Sequence, residues 1–86
     1  MSKIKKLVLD VLKPHKPTIL ELASALTDQN ANCVVNIKVV EIDEKTETLE
    51  IIIYGDDINL ELISEKITEL GGSVHSIDEV EVSSVI

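Results

Sequence analysis

The pattern of apolar and polar positions divides the chain into four strands and two helices. Alternating apolar residues or runs of β-branched residues predict strands at residues 4–12, 33–42, 48–54 and 73–82. Residues 19–26 and 60–70 instead carry apolar side chains three and four positions apart, which is the spacing of one face of a helix. The predicted order of elements is therefore βαββαβ.

Proline and capping residues mark where these elements begin and end. Pro14 and Pro17 stop the first strand, because proline has no backbone N–H for a sheet hydrogen bond and restricts the residue before it. Thr18 and Glu21 form a capping box at the start of the first helix. In the second strand the apolar positions slip out of phase, which predicts a β-bulge near Val39.

The order βαββαβ is that of the ferredoxin-like α+β fold. Right-handed crossovers place the third strand between the first and second, and the first strand between the third and fourth. We therefore expect an antiparallel sheet with strand order 4-1-3-2 and both helices on one face. The 86 residues are expected to form a single domain, 1–86, in which residues 83–86 are a tail.

One face of this sheet is not covered by the helices. If Leu7, Leu9 and Val11 of the first strand face the helices, the residues between them face away. The same alternation in the third strand gives an uncovered face that offers Val8, Leu12, Ile52 and Tyr54. These apolar side chains on two central strands predict a subunit interface, and a closed homo-oligomer such as a ring is the simplest way to bury them. The alternative is that they are scattered surface residues, which are normal.

Composition excludes several functions that this fold supports in other proteins. The chain has one Tyr, no Phe, no Trp and no Arg, and its 16 acidic residues outnumber its 8 Lys to give a net charge of −8. Nucleic acid is excluded as a partner, because its binding needs cations for phosphates and aromatic rings for bases. The chain also lacks the Arg of an acylphosphatase-like enzyme and the Cys-x-x-Cys of a copper-type metallochaperone.

Charge is distributed unevenly along the chain. Residues 1–16 carry five Lys and one Asp, a local charge of +4, whereas residues 17–86 carry three Lys and 15 acidic residues, a local charge of −12. One explanation is that a Lys-bearing first strand neutralises an acidic neighbour within the subunit. The other is that opposite faces of two subunits attract each other.

A single Cys and the lack of a long apolar segment set the expected environment. One Cys cannot form an internal disulfide, so a reducing cytoplasm is the expected location. No stretch approaches the roughly 18 apolar residues that a membrane-spanning helix needs, so no membrane partner is expected. The abundance of Lys, Glu and Ile, with one Gln and one Met, is typical of a thermophile.

His15 and His75 are the candidate groups for chemistry. The topology places the loop after the first strand and the start of the last strand at one end of the sheet, where His15, His75 and Asp78 are candidate ligands of a divalent metal. Strand alternation is expected to send Asp78 and Glu79 to opposite faces, so that they cannot both serve one site. The alternative is that both histidines are ordinary surface residues.

The loop at residues 55–61 is a second candidate cation-binding site, because it offers several oxygen atoms near the start of the second helix. Such oxygens suit a hard cation like Ca²⁺, but the loop lacks the length and spacing of an EF-hand. Capping of the helix by Asn59 is the better explanation of this segment.

Three segments of the chain resemble a known family. They are Leu9-Asp10-Val11-Leu12-Lys13-Pro14-His15-Lys16-Pro17, then Glu41-Ile42-Asp43 with Thr46-Glu47, and Gly71-Gly72-Ser73-Val74-His75-Ser76-Ile77-Asp78-Glu79-Val80. Through these motifs the chain resembles archaeal domain-of-unknown-function family 211 over nearly its whole length. The resemblance implies a small archaeal protein of ferredoxin-like fold that self-associates, and it implies no activity. The family's polar motif residues map onto Asp10, His15, Asn36, His75, Ser76, Asp78 and Glu79, as groups that bind a ligand or brace a subunit contact.

The sequence leaves three functional hypotheses. The leading one is a non-enzymatic, homo-oligomeric module for binding or regulation. The second is a metal-binding protein or metal-dependent enzyme that uses His15, His75 and a carboxylate. The third is a structural interaction partner of another protein.

Overall fold

A computed structural model of the protein describes residues 2–84. Its elements are β1 (Lys3–Pro14), α1 (Ile19–Gln29), β2 (Cys33–Ile42), β3 (Thr46–Gly55), α2 (Leu60–Glu69) and β4 (Ser73–Ser83). The predicted order βαββαβ is confirmed, and each element lies within a few residues of its predicted position.

The four strands form one antiparallel sheet in the order β2-β3-β1-β4. This is the predicted order 4-1-3-2 taken from the other edge, so β1 and β3 are the central strands and β2 and β4 are the edges. Two helical crossovers join the strands in the split βαβ arrangement. The ferredoxin-like α+β fold is therefore confirmed.

The core lies between one face of the sheet and the two helices. The buried sheet residues are Leu7, Leu9, Val11, Leu49, Ile51 and Ile53, and the helices add Leu22, Leu26, Ile63 and Ile67. The sheet residues share one face, because each β1 member lies opposite a β3 member in the register. Both helices therefore cover the same face, as predicted. We call this the inner face and the opposite one the outer face.

Each helix begins at a side-chain cap. The Glu21 amide donates to Thr18 Oγ1 at 3.2 Å and the Thr18 amide donates to Glu21 Oε1 at 2.9 Å, so the predicted capping box is confirmed. Asn59 caps α2, because its Oδ1 accepts from the Leu62 amide at 3.1 Å. No helix in residues 2–84 is long and apolar enough to cross a membrane.

Register shifts interrupt the pairing of both edge strands. In β2 the register with β3 shifts between Val39 and Glu41, so the predicted bulge is confirmed. The register between β1 and β4 shifts three times, across Lys5 of β1 and across His75 and Asp78 of β4. The shifts at His75 and Asp78 each give β4 one residue more than β1 and change the alternation of its side chains beyond them, whereas at Lys5 the additional residue belongs to β1.

The bulge at Asp78 corrects one prediction. Strict alternation would send Asp78 and Glu79 to opposite faces, but Glu79 lies opposite Val8 on the outer face and Asp78 lines a depression in that same face. Alternation fails here because two residues of a bulged strand oppose a single residue of the neighbouring strand. Both carboxylates therefore lie on the outer face.

β4 continues one residue into the segment that was predicted to be a tail. Ser83 belongs to the strand, because pairing with Lys3 of β1 extends that far, so the tail prediction is wrong for this residue. Ser84 follows the strand, and residues 85 and 86 of the predicted tail lie outside the described part of the chain.

Replacing Leu26 with Ala is expected to lower the free energy of unfolding by about 3 kcal/mol, because it removes a fully buried side chain of α1 and leaves a cavity. Leu20→Ala on the same helix removes the same atoms from a side chain that is 75% exposed, and it should cost less than about 0.5 kcal/mol. Urea denaturation followed by circular dichroism measures both values. Equal losses of stability would contradict this assignment of the core.

Candidate functional site

The outer face carries most of the polar residues that the sequence marked as candidates. The register arranges its side chains in four rows that cross from β2 through β3 and β1 to β4. In order, the rows are Val34, Tyr54, Lys6 and Glu81; Asn36, Ile52, Val8 and Glu79; Lys38, Glu50, Asp10 and Ser76; and Glu41, Thr48, Leu12 and Ser73. The bulged residues His75 and Asp78 lie between rows on β4. His15 alone among the predicted polar residues lies elsewhere.

The apolar part of the outer face is smaller than the sequence predicted. Val8 is only 8% exposed and offers little surface to a partner. Leu12 and Tyr54 are 39% and 44% exposed, and Ile52 between them is half-buried. Three of the four predicted apolar residues therefore present some surface on this face.

Lys6 links the apolar and acidic parts of the outer face. Its ammonium lies 2.9 Å from Glu79 Oε2 and 5.6 Å from the centre of the Tyr54 ring. The hydrogen bond with Glu79 raises the pKa of Lys6. A lysine of β1 thus neutralises a carboxylate of β4 inside one subunit, which supports the first explanation of the uneven charge along the chain.

The two edge strands carry aliphatic side chains that are more exposed than those of the central strands. The residues more than half exposed are Val34, Val40 and Ile42 in β2, and Ile77, Val80 and Val82 in β4. Sequence reasoning missed them because it followed only the two central strands. The available signal was the abundance of β-branched residues in both edge strands.

His75 and Asp10 form a defined polar contact on the outer face. Nδ1 of His75 lies 3.3 Å from Oδ2 of Asp10, and most of the imidazole is exposed. A depression of about 170 Å³ beside them is lined by Asp10, Leu12, Thr48 and His75. Because Nδ1 faces the carboxylate, Nε2 is the ring nitrogen that is left to contact a ligand.

Carboxylates make the neighbouring part of the outer face negative. Asp10 lies opposite Glu50 in the register of β1 and β3, and both line a depression of about 290 Å³ together with Asp78. The Ser76 hydroxyl donates to Asp78 Oδ1 at 2.7 Å, and Lys38 lies opposite Glu50 from β2. The surrounding charge therefore favours a cationic ligand over an anionic one.

A second polar cluster lies at the end of the inner face, and sequence reasoning missed two of its members, Lys13 and Glu47. The Lys13 side chain is 2% exposed, and its ammonium donates to the carbonyl oxygens of Pro14 at 2.8 Å and Pro17 at 2.7 Å. Glu47 lies opposite Lys13 in β3 and pairs with it through Oε1 at 2.9 Å. The signal was available, because Lys13 continues the inward phase set by Val11.

His15 extends this second cluster to the turn between β2 and β3. Its Nδ1 lies 3.1 Å from Oε2 of Glu47, and its Nε2 lies 3.0 Å from the carbonyl oxygen of Glu44. The hydrogen bond with Glu47, followed by that with the Glu44 carbonyl, raises the pKa of His15. In return, the hydrogen bonds with His15 and then Lys13 lower the pKa of Glu47.

The two histidines therefore contact different carboxylates, His15 with Glu47 and His75 with Asp10. Within residues 2–84, no group of three or more His, Cys, Asp and Glu side chains is arranged so that it could hold a metal ion. Metal binding that involves His15, His75 or Asp78 stays a prediction.

The loop that precedes α2 is organised by amide side chains. Asn59 caps the helix, and the buried Asn30 accepts from the Asn59 amide at 2.7 Å. Asn30 also donates to the Asp57 carbonyl at 3.2 Å. The capping explanation of Asn59 is thus confirmed, and a second side chain holds the same loop.

Replacing Lys13 with Met is expected to destabilise the protein by about 3 kcal/mol, because the apolar stem remains but Glu47 and two loop carbonyls lose their cation. Lys16→Met removes the same charge from an exposed lysine and should leave stability unchanged within error. Thermal unfolding of the two variants tests this. If Lys13→Met is as stable as Lys16→Met, the buried ion pair between Lys13 and Glu47 makes no net contribution to the stability of the fold.

Two comparisons with known proteins agree with each other. The sequence profile of DUF211, described as "Uncharacterized ArCR", matches residues 5–86. The chain is also 46% identical over 80 residues to "Uncharacterized protein MJ0319" of Methanocaldococcus jannaschii, and the alignment covers 93% of this chain and 82% of that protein. Both extents include the motifs around His15 and His75 that carried the resemblance. The chain therefore belongs to domain-of-unknown-function family 211.

Proposed function

We propose that the protein is a non-enzymatic, homo-oligomeric module that binds a ligand or regulates another molecule. The observation that carries this proposal is the exposure of aliphatic side chains on both edge strands, namely Val34, Val40 and Ile42 in β2 and Ile77, Val80 and Val82 in β4. Contact with water is unfavourable for apolar surface of this kind. A second copy of the chain supplies apolar surface that would bury it.

The edge strands also offer backbone groups to a second copy. Within the described sheet, β2 pairs with β3 and β4 pairs with β1, so the other side of each edge strand is open to pairing. The β2 edge of one copy can extend the sheet by pairing with the β4 edge of the next. Because the two edges differ, such a contact is head-to-tail. Head-to-tail contacts form a ring when the rotation from each copy to the next brings the last copy back to the first.

The outer face supports the binding part of the proposal. The depression beside Asp10 and His75 joins a negative surface to the apolar side chain of Leu12. A surface of mixed apolar and negative character suits a small cationic ligand or a contact with another subunit. The family's polar motif residues on this face, including Asn36 and Ser76, fit either use.

Attraction between oppositely charged faces supports the proposal less than apolar surface does. Lys6 pairs with Glu79 and Lys13 pairs with Glu47 inside one subunit. The basic start of the chain is thus partly neutralised before any second copy arrives. The proposal therefore depends on the edge strands rather than on the difference in charge.

Light scattering of the purified full chain after size-exclusion chromatography tests self-association. At micromolar concentration we expect an oligomer, with a mass at least twice that of the 9.5 kDa subunit. Val80→Glu should lower this mass, because it places a charge on the exposed β4 edge. Leu20→Glu is the matched control, because Leu20 is more exposed than Val80 but belongs to α1. It should keep the wild-type mass.

A wild-type monomer at this concentration would overturn the proposal. An oligomer whose mass Val80→Glu leaves unchanged would show that β4 is not the contact between copies. Loss of assembly in both variants would show a general sensitivity to added negative charge, and the edge-strand contact would then be wrong.

Metal binding, alone or as part of a metal-dependent enzyme, is a second candidate function that one observation favours. Asp10 faces Nδ1 of His75, and a carboxylate in this position commonly orients a histidine whose other nitrogen ligates a metal. Under this candidate, Nε2 of His75 and the carboxylate of Asp78 are the proposed ligands on the outer face. His15 has both ring nitrogens in hydrogen bonds.

Adding Zn²⁺ to metal-free protein is expected to raise Tm under this second candidate, because a metal that binds the folded state stabilises it. His75→Gln should abolish the rise, and Asp10→Asn should weaken the affinity by about 10- to 100-fold, since Asp10 orients the ring rather than ligating. His15→Gln is the control and should keep the response. No shift of Tm with Zn²⁺, Mn²⁺ or Ca²⁺ would argue against this function.

A further inference from the structure

We propose that His15 is a pH-dependent strap that holds the turn between β2 and β3 against the end of β1. The ring contacts two different parts of the fold at once. Nδ1 faces Oε2 of Glu47 in β3 at 3.1 Å, and Nε2 faces the carbonyl oxygen of Glu44 in the turn at 3.0 Å. One side chain in the loop after β1 therefore joins that loop to both the strand and the turn.

Both contacts of the ring are with hydrogen-bond acceptors. A carboxylate and a carbonyl group have no proton to donate, so each contact needs an N–H of the ring. A neutral imidazole has one N–H and satisfies one of the two acceptors, whereas the imidazolium has two and satisfies both. Both hydrogen bonds therefore form at the same time only when the ring is protonated, and we call this state the closed strap.

Lys13 holds in place both the loop that carries His15 and the Glu47 carboxylate that His15 contacts. Its buried ammonium donates to the carbonyl oxygens of Pro14 and Pro17, on either side of His15. It also pairs with Oε1 of Glu47 at 2.9 Å, so this carboxylate stays in place when His15 loses its proton. The neutral ring keeps the hydrogen bond to the charged carboxylate, which is the stronger of the two, and releases the carbonyl oxygen of Glu44.

The groups that face His15 favour its protonated form. Glu47 from β3 attracts the charge, and Lys13 from β1 opposes it but is itself paired with Glu47. The turn contributes the carbonyl oxygens of Glu44 and Asp43. The hydrogen bond to Glu47 has the largest effect and raises the pKa of His15 above its ordinary value of 6.5.

Because the pKa of His15 is raised in the folded state, the strap stabilises the fold less as pH increases. A group with a raised pKa in the folded state contributes its full stabilisation below the unfolded pKa, and this contribution is lost as pH rises through the folded pKa. The strap is therefore closed in mildly acidic solution and opens above the folded pKa of His15. The lowered pKa of Glu47 keeps that carboxylate charged across this range.

Opening the strap acts on the end of edge strand β2. Within the turn, the Asp43 amide donates to the Thr46 carbonyl at 2.8 Å, so its protection from exchange reports on order in the turn. Val40 and Ile42, at the end of β2, lie immediately before this turn. The inference concerns contacts inside one subunit and does not depend on assembly between copies.

Nuclear magnetic resonance of the full chain, in buffer that contains EDTA, tests the strap. Ring ¹⁵N shifts should give His15 a pKa above 6.5. Between about pH 5.5 and about pH 8.5, the protection of the Asp43 amide, corrected for its intrinsic exchange rate, should fall roughly two- to fivefold. His15→Gln has no titratable ring, so it should make this protection independent of pH.

His75→Gln is the matched control, because it removes the other histidine that faces a carboxylate and should keep the wild-type pH dependence. Three results would each overturn the strap. They are a wild-type His15 pKa at or below 6.5, Asp43 protection that does not change with pH in the wild type, or an unchanged pH dependence in His15→Gln. The first two use the wild-type chain, so they decide the matter even if the His15 variant fails to fold.

Discussion

The two-residue period of β1 is the constraint on which the rest of the structure depends. β1 pairs with both β3 and β4, so its alternation decides which residues of three strands face the helices. Leu7, Leu9 and Val11 fill the inner face, and Asp10 between them must then lie on the outer face. A slip of one residue would move Asp10 into the core and Leu9 out of it. The same alternation of β1 therefore both buries the core residues and exposes the polar motif.

The same period carries a lysine into the end of the core. Burying an ammonium group costs desolvation free energy, and Lys13 offsets this cost with an ion pair to Glu47 and hydrogen bonds to the carbonyls of Pro14 and Pro17. These carbonyls belong to the segment where β1 becomes a loop and regular sheet pairing ends. An apolar residue would fill the space but would leave these carbonyls, and Oε1 of Glu47, without the donor that Lys13 provides. Lys13 therefore allows the core to extend to the point where the chain turns.

The fold could be predicted from the sequence because its signals are local. The apolar periods, the Thr18 capping box and the phase slip near Val39 each involve residues close together in the chain. The bulges of β4 also left a signal, since Val74, Ile77 and Val80 recur every three positions rather than every two. The contacts of His15 could not be predicted in this way, because Glu44 and Glu47 approach it only when the loop and the turn meet in space.

The bulges of β4 explain how the outer face combines groups that a regular strand would separate. Asp10 lies opposite Glu50, and like charges in opposite positions of neighbouring strands destabilise a sheet. The bulge at His75 allows an imidazole to approach Asp10 from β4, where regular pairing alone places Ser76. An interface built only from apolar contacts would need neither the bulge at His75 nor the one at Asp78, and both bulges interrupt the pairing of β4 with β1. Their presence beside the polar motif therefore favours a role for this face in polar recognition, since bulges are common next to functional sites.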